Sequence, residues 1–335
     1  MNWRAFIDRP WRRVVLIIGL ALAAIVLSIR LFMMTPAAHS IVETRLEALS
    51  VRGQSFEIDG LRGDLFGGIR AERLAVSDRD GEWLVLDDVK LSWGLVSLLF
   101  GHLNLNEIDI ATLSVQRRPH LEPSTGPSSS SPFDRYRVGA LEISNLSLAA
   151  GVAGPAQTYR LEGALEAAKW NGQVALDLAP LNGNGDHVQA DIAWGGETLL
   201  QGAFVLTGVP NGLVAQLLGA PDNETITASL DAKGGLFGGD LEASAKLGDD
   251  VVLDLEAKAQ QDAYRAAGRA DLSSFIRLAP IVDRIGGVID FSAEFDKADR
   301  LTAKVSSPSG IVELSGDVQN DGETRSLDNL QLIGT

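Results

Sequence analysis

The sequence contains no cysteine, only four histidines and few aromatic residues. Without cysteine the chain forms no disulfide, no cysteine-ligated zinc site and no cysteine nucleophile. The histidines lie far apart in the sequence, and none forms the close pair typical of a histidine-ligated metal. The G-x-S-x-G, Walker and H-E-x-x-H motifs are also missing. We therefore predict a chain that is not an enzyme and that binds no metal or other cofactor.

Positive charge is scarce and concentrated at the amino terminus. The chain has 29 Lys and Arg against 44 Asp and Glu, for a net charge of −15. Residues 1–35 contain five arginines and a single acid, so the other 300 residues carry a net charge of −19. Such a body repels DNA and RNA, and nucleic acid is excluded as a partner.

One long apolar run occurs, from Val14 to Met34, and Arg30 is its single charge. At 1.5 Å per residue a helix of this length spans about 31 Å, the thickness of a bilayer's hydrocarbon core. Arginines precede the run, which places residues 1–13 in the cytoplasm and exports the body. We predict an uncleaved signal anchor, with a signal peptide cleaved near Ala37 as the alternative. The residues predicted to form the anchor are Trp11, Arg12, Arg13, Leu16, Ile17, Leu20, Leu27 and Met34.

One apolar spacing, at positions a, a+2, a+5 and a+7, occurs four times between Ile69 and Leu148. On a helix these positions scatter over both sides. On a strand the two-residue steps keep one face, and a β-bulge at the polar middle pair restores that face after the three-residue step. The middle pairs are Glu72-Arg73, Asp87-Asp88, Asn106-Glu107 and Ser144-Asn145.

Glycine-punctuated strands are predicted to continue to the last residues, with short helices at about 212–218 and 273–285. The predicted fold is mainly β: an elongated antiparallel sheet curled into a trough, with an ordinary β-sandwich as the alternative. Because the strand pattern has no terminal cap, we expect a longer parent protein. The predicted segments are a cytoplasmic tail (1–13), the anchor (14–34), a linking helix (35–50), a first β unit (51–118), a Pro/Ser-rich loop (119–132) and continuing groove repeats (133–335).

The repeated unit also predicts which side chains face the interior of the trough. A sheet with one apolar face has to cover that face, either with a second protein layer or with acyl chains. The candidate groove-lining residues are Leu84, Leu86, Val89, Leu91, Leu103, Leu105, Ile108, Ile110, Leu141, Ile143, Leu146 and Leu148.

Several segments behind the anchor carry a family resemblance: the run from Ile58 to Val76, Leu98-Leu-Phe-Gly-His-Leu103, and Leu141 to Leu148 after the Pro-rich loop. Together they resemble the amino-terminal region of TamB-like proteins, within the AsmA-like family. The resemblance is specific over roughly residues 1–150; beyond them it depends on strand periodicity. TamB-like proteins are usually far longer and end in a domain that meets an outer-membrane barrel partner, and that domain is missing from this sequence.

The resemblance implies a β-taco trough in the periplasm, anchored by a single pass in the bacterial inner membrane. It also implies roles in outer-membrane biogenesis: phospholipid transport through acyl-chain contacts, and assembly or secretion of outer-membrane proteins. The barrel partner of the translocation and assembly module is implied only for the full-length family. Two alternatives stay open, a scaffold that binds nascent outer-membrane proteins by strand addition and an anchored extracytoplasmic enzyme.

Overall fold

The computed structural model describes residues 53–64, 67–94, 97, 100–120, 134–195, 198–235, 238–260, 263–275, 282–284, 286–296, 300–320 and 325–334. The predicted tail, anchor and linking helix lie outside these residues, as does most of the Pro/Ser-rich loop. In the part of the chain that is described, every helix is too short or too polar to cross a bilayer.

The described chain is mainly β, as predicted, with a short helix, α1, at Leu213–Leu218 and a helical turn at 282–284. Helix α1 lies within the span predicted for the first of the two helices, and the turn at 282–284 lies within the span predicted for the second. The strands are β1 Ser55–Asp59, β2 Arg62–Asp64, β3 Gly68–Asp78, β4 Gly81–Trp93, β5 His102–Val115, β6 Arg135–Leu148, β7 Gln157–Ala168, β8 Gly172–Pro180, β9 His187–Gly195, β10 Thr198–Gly208, β11 Ile226–Gly235, β12 Gly238–Leu247, β13 Asp250–Gln260, β14 Ala263–Asp271, β15 Val288–Phe295, β16 Arg300–Ser307, β17 Gly310–Asn320 and β18 Arg325–Gly334.

All eighteen strands belong to one open sheet. From β3 onward each strand pairs with the next one along the chain, up to β18. Strands β1 and β2 both pair with the same side of β3 in one continuous register, so they are two pieces of a single edge strand. The sheet therefore has two edges, β1–β2 and β18.

One strand pair differs from the predicted antiparallel pattern, because β5 and β6 run parallel. A parallel pair cannot be joined by a tight turn and needs a long crossover connection. The chain between Val115 and Arg135 supplies it, and this stretch includes the predicted Pro/Ser-rich loop. The Pro/Ser-rich composition predicted the loop, but nothing in the sequence predicted that the loop would lead to a parallel strand pair. The sheet continues across the predicted segment boundary.

The start of the crossover is fixed by a polar network on Asp78, whose side chain is 1% exposed. Arg117 forms an ion pair with this carboxylate, which also accepts the backbone N–H groups of Asp80 at 2.8 Å and His120 at 2.6 Å. The hydrogen bond with Arg117 holds the pKa of Asp78 well below its usual range. Gln54 adds a bond to the His120 carbonyl at 3.1 Å. The network ties the chain after β5 to the turn between β3 and β4.

The ladder of the front strands is interrupted along a line that we call the crease, defined by Gly60–Leu61, Glu72, Asp88, Ala111 and Ser144–Asn145. Three of these interruptions lie at middle pairs of the repeated unit: Glu72, Asp88 and Ser144–Asn145. At Ser144–Asn145 the register shifts between Ile143 and Leu146, which is the predicted bulge. Asn106 is likewise an extra residue opposite the Ser92–Trp93 step, at another predicted bulge. In β3 and β4 the interruption takes another form, since Glu72 and Asp88 leave the ladder opposite each other and the register is kept. The positive φ of Asp88, +50°, accompanies this change.

Buried side chains collect at the strand ends joined by residues 149–156, 181–186 and 209–225, which we call the closed rim. Leu148, Tyr159 and Leu178 form one cluster, and Val214, Ile226 and Leu247 belong to a second. Helix α1 contributes to both, because Leu213 packs on the first cluster and Val214 lies within the second. The opposite strand ends, which follow Ala168, Gly195, Gly235, Gln260 and Phe295, form the open rim.

Helix α1 is capped by a distant side chain. Its N-cap residue is Gly212, which has no side chain to accept a hydrogen bond. The fully buried carboxylate of Asp186 accepts the backbone N–H of Val214 at 2.7 Å and that of Val209 at 2.8 Å. A Cβ atom at position 212 would lie 2.2 Å from Asp186 Oδ1, so glycine is required there for the carboxylate to approach. Asp186 therefore holds α1 against the closed rim.

Tyr159 is fully buried beside Asp186, and its hydroxyl donates a hydrogen bond to Gln157 Oε1. Burial, together with the negative charge of Asp186, raises the pKa of Tyr159 to about 12. One of the chain's three tyrosines is therefore expected to ionise only near pH 12 in an alkaline absorbance titration. Because the fold favours the neutral phenol, stability is expected to hold up to about pH 10 and to fall from there to about pH 12.

The matched control for this titration is Tyr159→Phe. In that variant the late ionisation step is expected to disappear, and the loss of stability above about pH 10 is expected to be smaller. A late step that survives in Tyr159→Phe would contradict the assignment.

Candidate functional site

One face of the sheet is apolar over almost its whole width. A single cross-strand row passes from Ala71 on β3 through thirteen consecutive strands to Ile289 on β15, and each strand contributes an apolar residue. At about 4.8 Å per strand this row is about 58 Å long. Residues in register with it, at alternate positions along each strand, form what we call the apolar face. The row members are Ala71, Val89, Ile110, Ile143, Leu161, Leu178, Val188, Leu206, Ala228, Ala245, Leu253, Ala270 and Ile289.

The opposite, outer face is polar along the neighbouring row. Lys90, Asp109, Glu142, Glu162 and Asp177 follow one another there on consecutive strands. Exposed ion pairs such as Arg265–Glu294, 2.7 Å apart, lie farther along this face. Pairs of this kind contribute little to stability in water, so the alternation mainly fixes which face meets solvent.

No second sheet covers the apolar face within the described residues, because every described strand belongs to the one sheet. Away from the closed rim most of its side chains are half-buried, although those of a sandwich core would be buried. The predicted sandwich alternative therefore does not describe this part of the chain. What remains is a long apolar surface that is shielded from solvent only in part.

The sheet curls toward its apolar face in the rear half. Residues from seven consecutive strands, β10 to β16, line a single cavity of about 260 Å³. Seven strands of a flat sheet spread over about 29 Å, so sharing so small a space indicates that the sheet is concave on this side. Its apolar lining is Leu200, Leu241, Ala257, Ala259, Tyr264, Ala266, Ala293, Phe295 and Leu301. We call this space the rear cavity.

Small residues make room for this cavity. In one cross-strand row Ala257, Ala266 and Ala293 stand next to one another on β13, β14 and β15. In the adjacent row the rings of Tyr264 and Phe295 lie 5.9 Å apart at 42° and form one wall. A packed protein core fills such positions with larger aliphatic side chains. The alanine row instead leaves the cavity open.

The register brings the twelve candidate groove-lining residues together on the apolar face. Val89, Ile110 and Ile143 are directly aligned on β4, β5 and β6. In the front half the larger aliphatic residues predominate, whereas alanine is frequent in the rear. The remaining candidates pair as Leu91 with Ile108 and Leu141, Leu86 with Leu113 and Leu146, Leu84 with Val115 and Leu148, Leu105 with Trp93 and Val138, and Leu103 with Tyr136.

The eight anchor residues, from Trp11 to Met34, lie outside the described part of the chain. The sequence analysis did not identify the rear cavity. Its one signal was the alternation of alanine with charged residues on β12 to β16, as in Leu255-Glu-Ala-Lys-Ala259, and alanine makes such a pattern only weakly apolar.

The sequence analysis also missed Asp186, which is a lone acid in a glycine-rich turn.

The two buried acids of the described residues have structural roles. Asp78 is held by hydrogen bonds between the β3–β4 turn and the chain after β5, and Asp186 is held by hydrogen bonds at the closed rim. Across the described ranges, no three His, Asp or Glu side chains are grouped so that they could hold a metal ion. The site offers apolar contact rather than reactive groups.

Comparison with family models, with curated proteins and with solved structures finds no match to this chain. The geometry of the apolar face and the sequence resemblance therefore carry the functional argument.

Proposed function

We propose that the chain is a non-enzymatic, inner-membrane-anchored protein of the bacterial envelope, with a periplasmic body whose apolar face carries phospholipid acyl chains between membranes. The observation that carries the proposal is the apolar face, which is continuous over thirteen strands and is covered by no second sheet among the described residues. The apolar run Val14–Met34 supports the anchor, and the resemblance of residues 56–148 supports placement with AsmA-like proteins. For full-length members of the family, we also propose a role in the assembly or secretion of outer-membrane proteins, with an outer-membrane barrel as the partner.

Backbone chemistry favours a hydrocarbon chain over a peptide on this face. The strands between the two edges have neighbours on both sides, so their N–H and C=O groups are already used in the ladder. An extended peptide laid on the apolar face would find no partners there for its own backbone groups, and burying them unpaired is costly. An acyl chain has no such groups. The face therefore suits lipid.

The first test replaces Leu86 and Leu105 by glutamate in the full chain. Two carboxylates on the apolar face are expected to remove most co-purifying phospholipid, because an acyl chain cannot solvate them. The sheet is expected to stay folded, since no described second layer packs on these residues. Lipid recovered by extraction and mass spectrometry, with circular dichroism for the fold, gives the answer.

The control for this test is Asn106→Glu with Gln116→Glu, which adds the same charge at exposed positions on and just after β5. It is expected to keep wild-type lipid. Wild-type lipid in a folded Leu86→Glu/Leu105→Glu variant would refute the proposal, and unfolding of that variant alone would show that protein, not lipid, covers the face.

A second candidate function is supported by the edge strand β18. No described strand pairs with its outer side, and an edge of this kind is what strand addition by a nascent outer-membrane protein requires. Site-specific photo-crosslinking separates the two functions. Crosslinks from Leu86 and Leu105 to lipid support the transport proposal, whereas crosslinks from the edge strand β18 to protein support the scaffold.

A further inference from the structure

Building on the proposed function, we infer that the rear cavity is a discrete binding site for one hydrocarbon chain rather than an undifferentiated part of a groove. The carrying observation is the combination of an alanine floor, an aromatic wall and a small volume open on one side. Ala257, Ala266 and Ala293 form the floor, and Tyr264 and Phe295 form the wall. The volume is about 260 Å³.

The size of the cavity limits the occupant. Pockets for drug-sized ligands usually measure about 300–1,000 Å³, whereas an apolar cavity of about 150 Å³ accepts a benzene ring. A space of about 260 Å³ therefore suits one hydrocarbon chain and is too small for the two chains of a phospholipid side by side. Water is a poor occupant, because a buried water needs two to four polar partners.

The chemistry of the lining also selects a hydrocarbon. Apart from the Tyr264 hydroxyl, the apolar-face side chains around the cavity are aliphatic or phenyl groups, and the charged residues on the same strands belong to the outer-face row. Each of these strands lies in the interior of the sheet, so strand addition cannot occur here. A ligand that needs no hydrogen bond is the one that fits.

Strand β14 offers a matched pair of positions for a test. Ala266 faces the cavity between Ala257 and Ala293, whereas the next residue, Ala267, is exposed on the outer face opposite Glu256 and Ser292. Ala266→Leu adds three carbon atoms inside the cavity. Ala267→Leu adds the same atoms on the outside. The two variants have the same composition and differ only in the face that is changed.

The probe is a fatty acid with a photoactivatable diazirine at the end of its chain, supplied to the full-length protein in phosphatidylcholine vesicles. Labelled residues are mapped by mass spectrometry after irradiation. We expect labelling concentrated on β12 to β16, around Leu241, Tyr264 and Phe295, with one label per chain at saturation. Ala266→Leu is expected to reduce this labelling about tenfold, and Ala267→Leu is expected to leave it at the wild-type level.

Wild-type labelling in Ala266→Leu would overturn the inference, and so would labels spread evenly along the apolar face. A dimer that Ala266→Leu dissociates would also overturn it, because a second copy of the chain would then cover the cavity. If Ala266→Leu does not fold, Ala293→Leu on β15 fills the same space from the neighbouring strand. Labelling at Leu86 and Leu105 without labelling of β12 to β16 refutes this site and leaves the proposed function standing; no labelling of either region refutes both.

Discussion

Replacing Asp186 by alanine is expected to lower the free energy of unfolding by about 2–4 kcal/mol. The carboxylate is fully buried and accepts the backbone N–H groups of Val209 and Val214. Alanine leaves both donors without an acceptor, and Gly212 has no side chain that can replace it as a cap. Urea denaturation of the full chain, followed by circular dichroism, measures the loss.

The closest control for Asp186 is Asp186→Asn. Its amide keeps one oxygen that can accept a hydrogen bond, while the nitrogen cannot, so about half of the alanine effect is expected. A stability of Asp186→Ala within about 0.5 kcal/mol of wild type would show that the rim is held by apolar packing alone. Limited proteolysis near α1 adds a local readout, because a released helix becomes accessible to protease.

Gly202→Ala is expected to cost about 3 kcal/mol or more. Gly202 lies within β10 with φ of +134°, a value that other residues rarely adopt. A Cβ atom there would lie 1.9 Å from the Asp191 carbonyl oxygen and 2.8 Å from Ile192 Cα on the neighbouring strand. Because both obstacles are backbone atoms, the ladder between β9 and β10 has to separate. Thermal unfolding monitored by circular dichroism measures the loss.

Gly81→Ala separates the two causes of this effect. Gly81 also has a positive φ, +104°, but a Cβ atom there meets nothing within 4 Å. Its replacement is expected to cost about 1 kcal/mol, the penalty of the backbone conformation alone. Equal losses in Gly81→Ala and Gly202→Ala would show that the collision with β9 is relieved by relaxation.

The front of the sheet was predictable because its signal is periodic and local. The spacing of apolar residues between Ile69 and Leu148 places Val89, Ile110 and Ile143 on one face, and the register aligns them. The same spacing indicated the bulges at Asn106 and Ser144–Asn145. Here the residues that define the pattern also make the contacts, so the sequence contains the information needed.

The features that escaped prediction depend on distant partners. Asp186 acts on α1 through residues 23 and 28 positions later in the chain, and no local pattern marks such a pair. The parallel pairing of β5 with β6 depends on the path of the crossover rather than on either strand. The rear cavity arises from curvature summed over seven strands, and the alanines that permit it are common in every kind of structure.

The parallel pair of β5 and β6 reverses the direction of every later strand, compared with a sheet in which all pairs are antiparallel. In an antiparallel sheet successive connections lie at alternate rims, so this one parallel pair moves each later connection to the opposite rim. The connection that contains α1 would otherwise lie at the other rim, as would the stretch between β14 and β15. A single change of direction near residue 120 thus determines which end of the later strands is capped and which is left accessible.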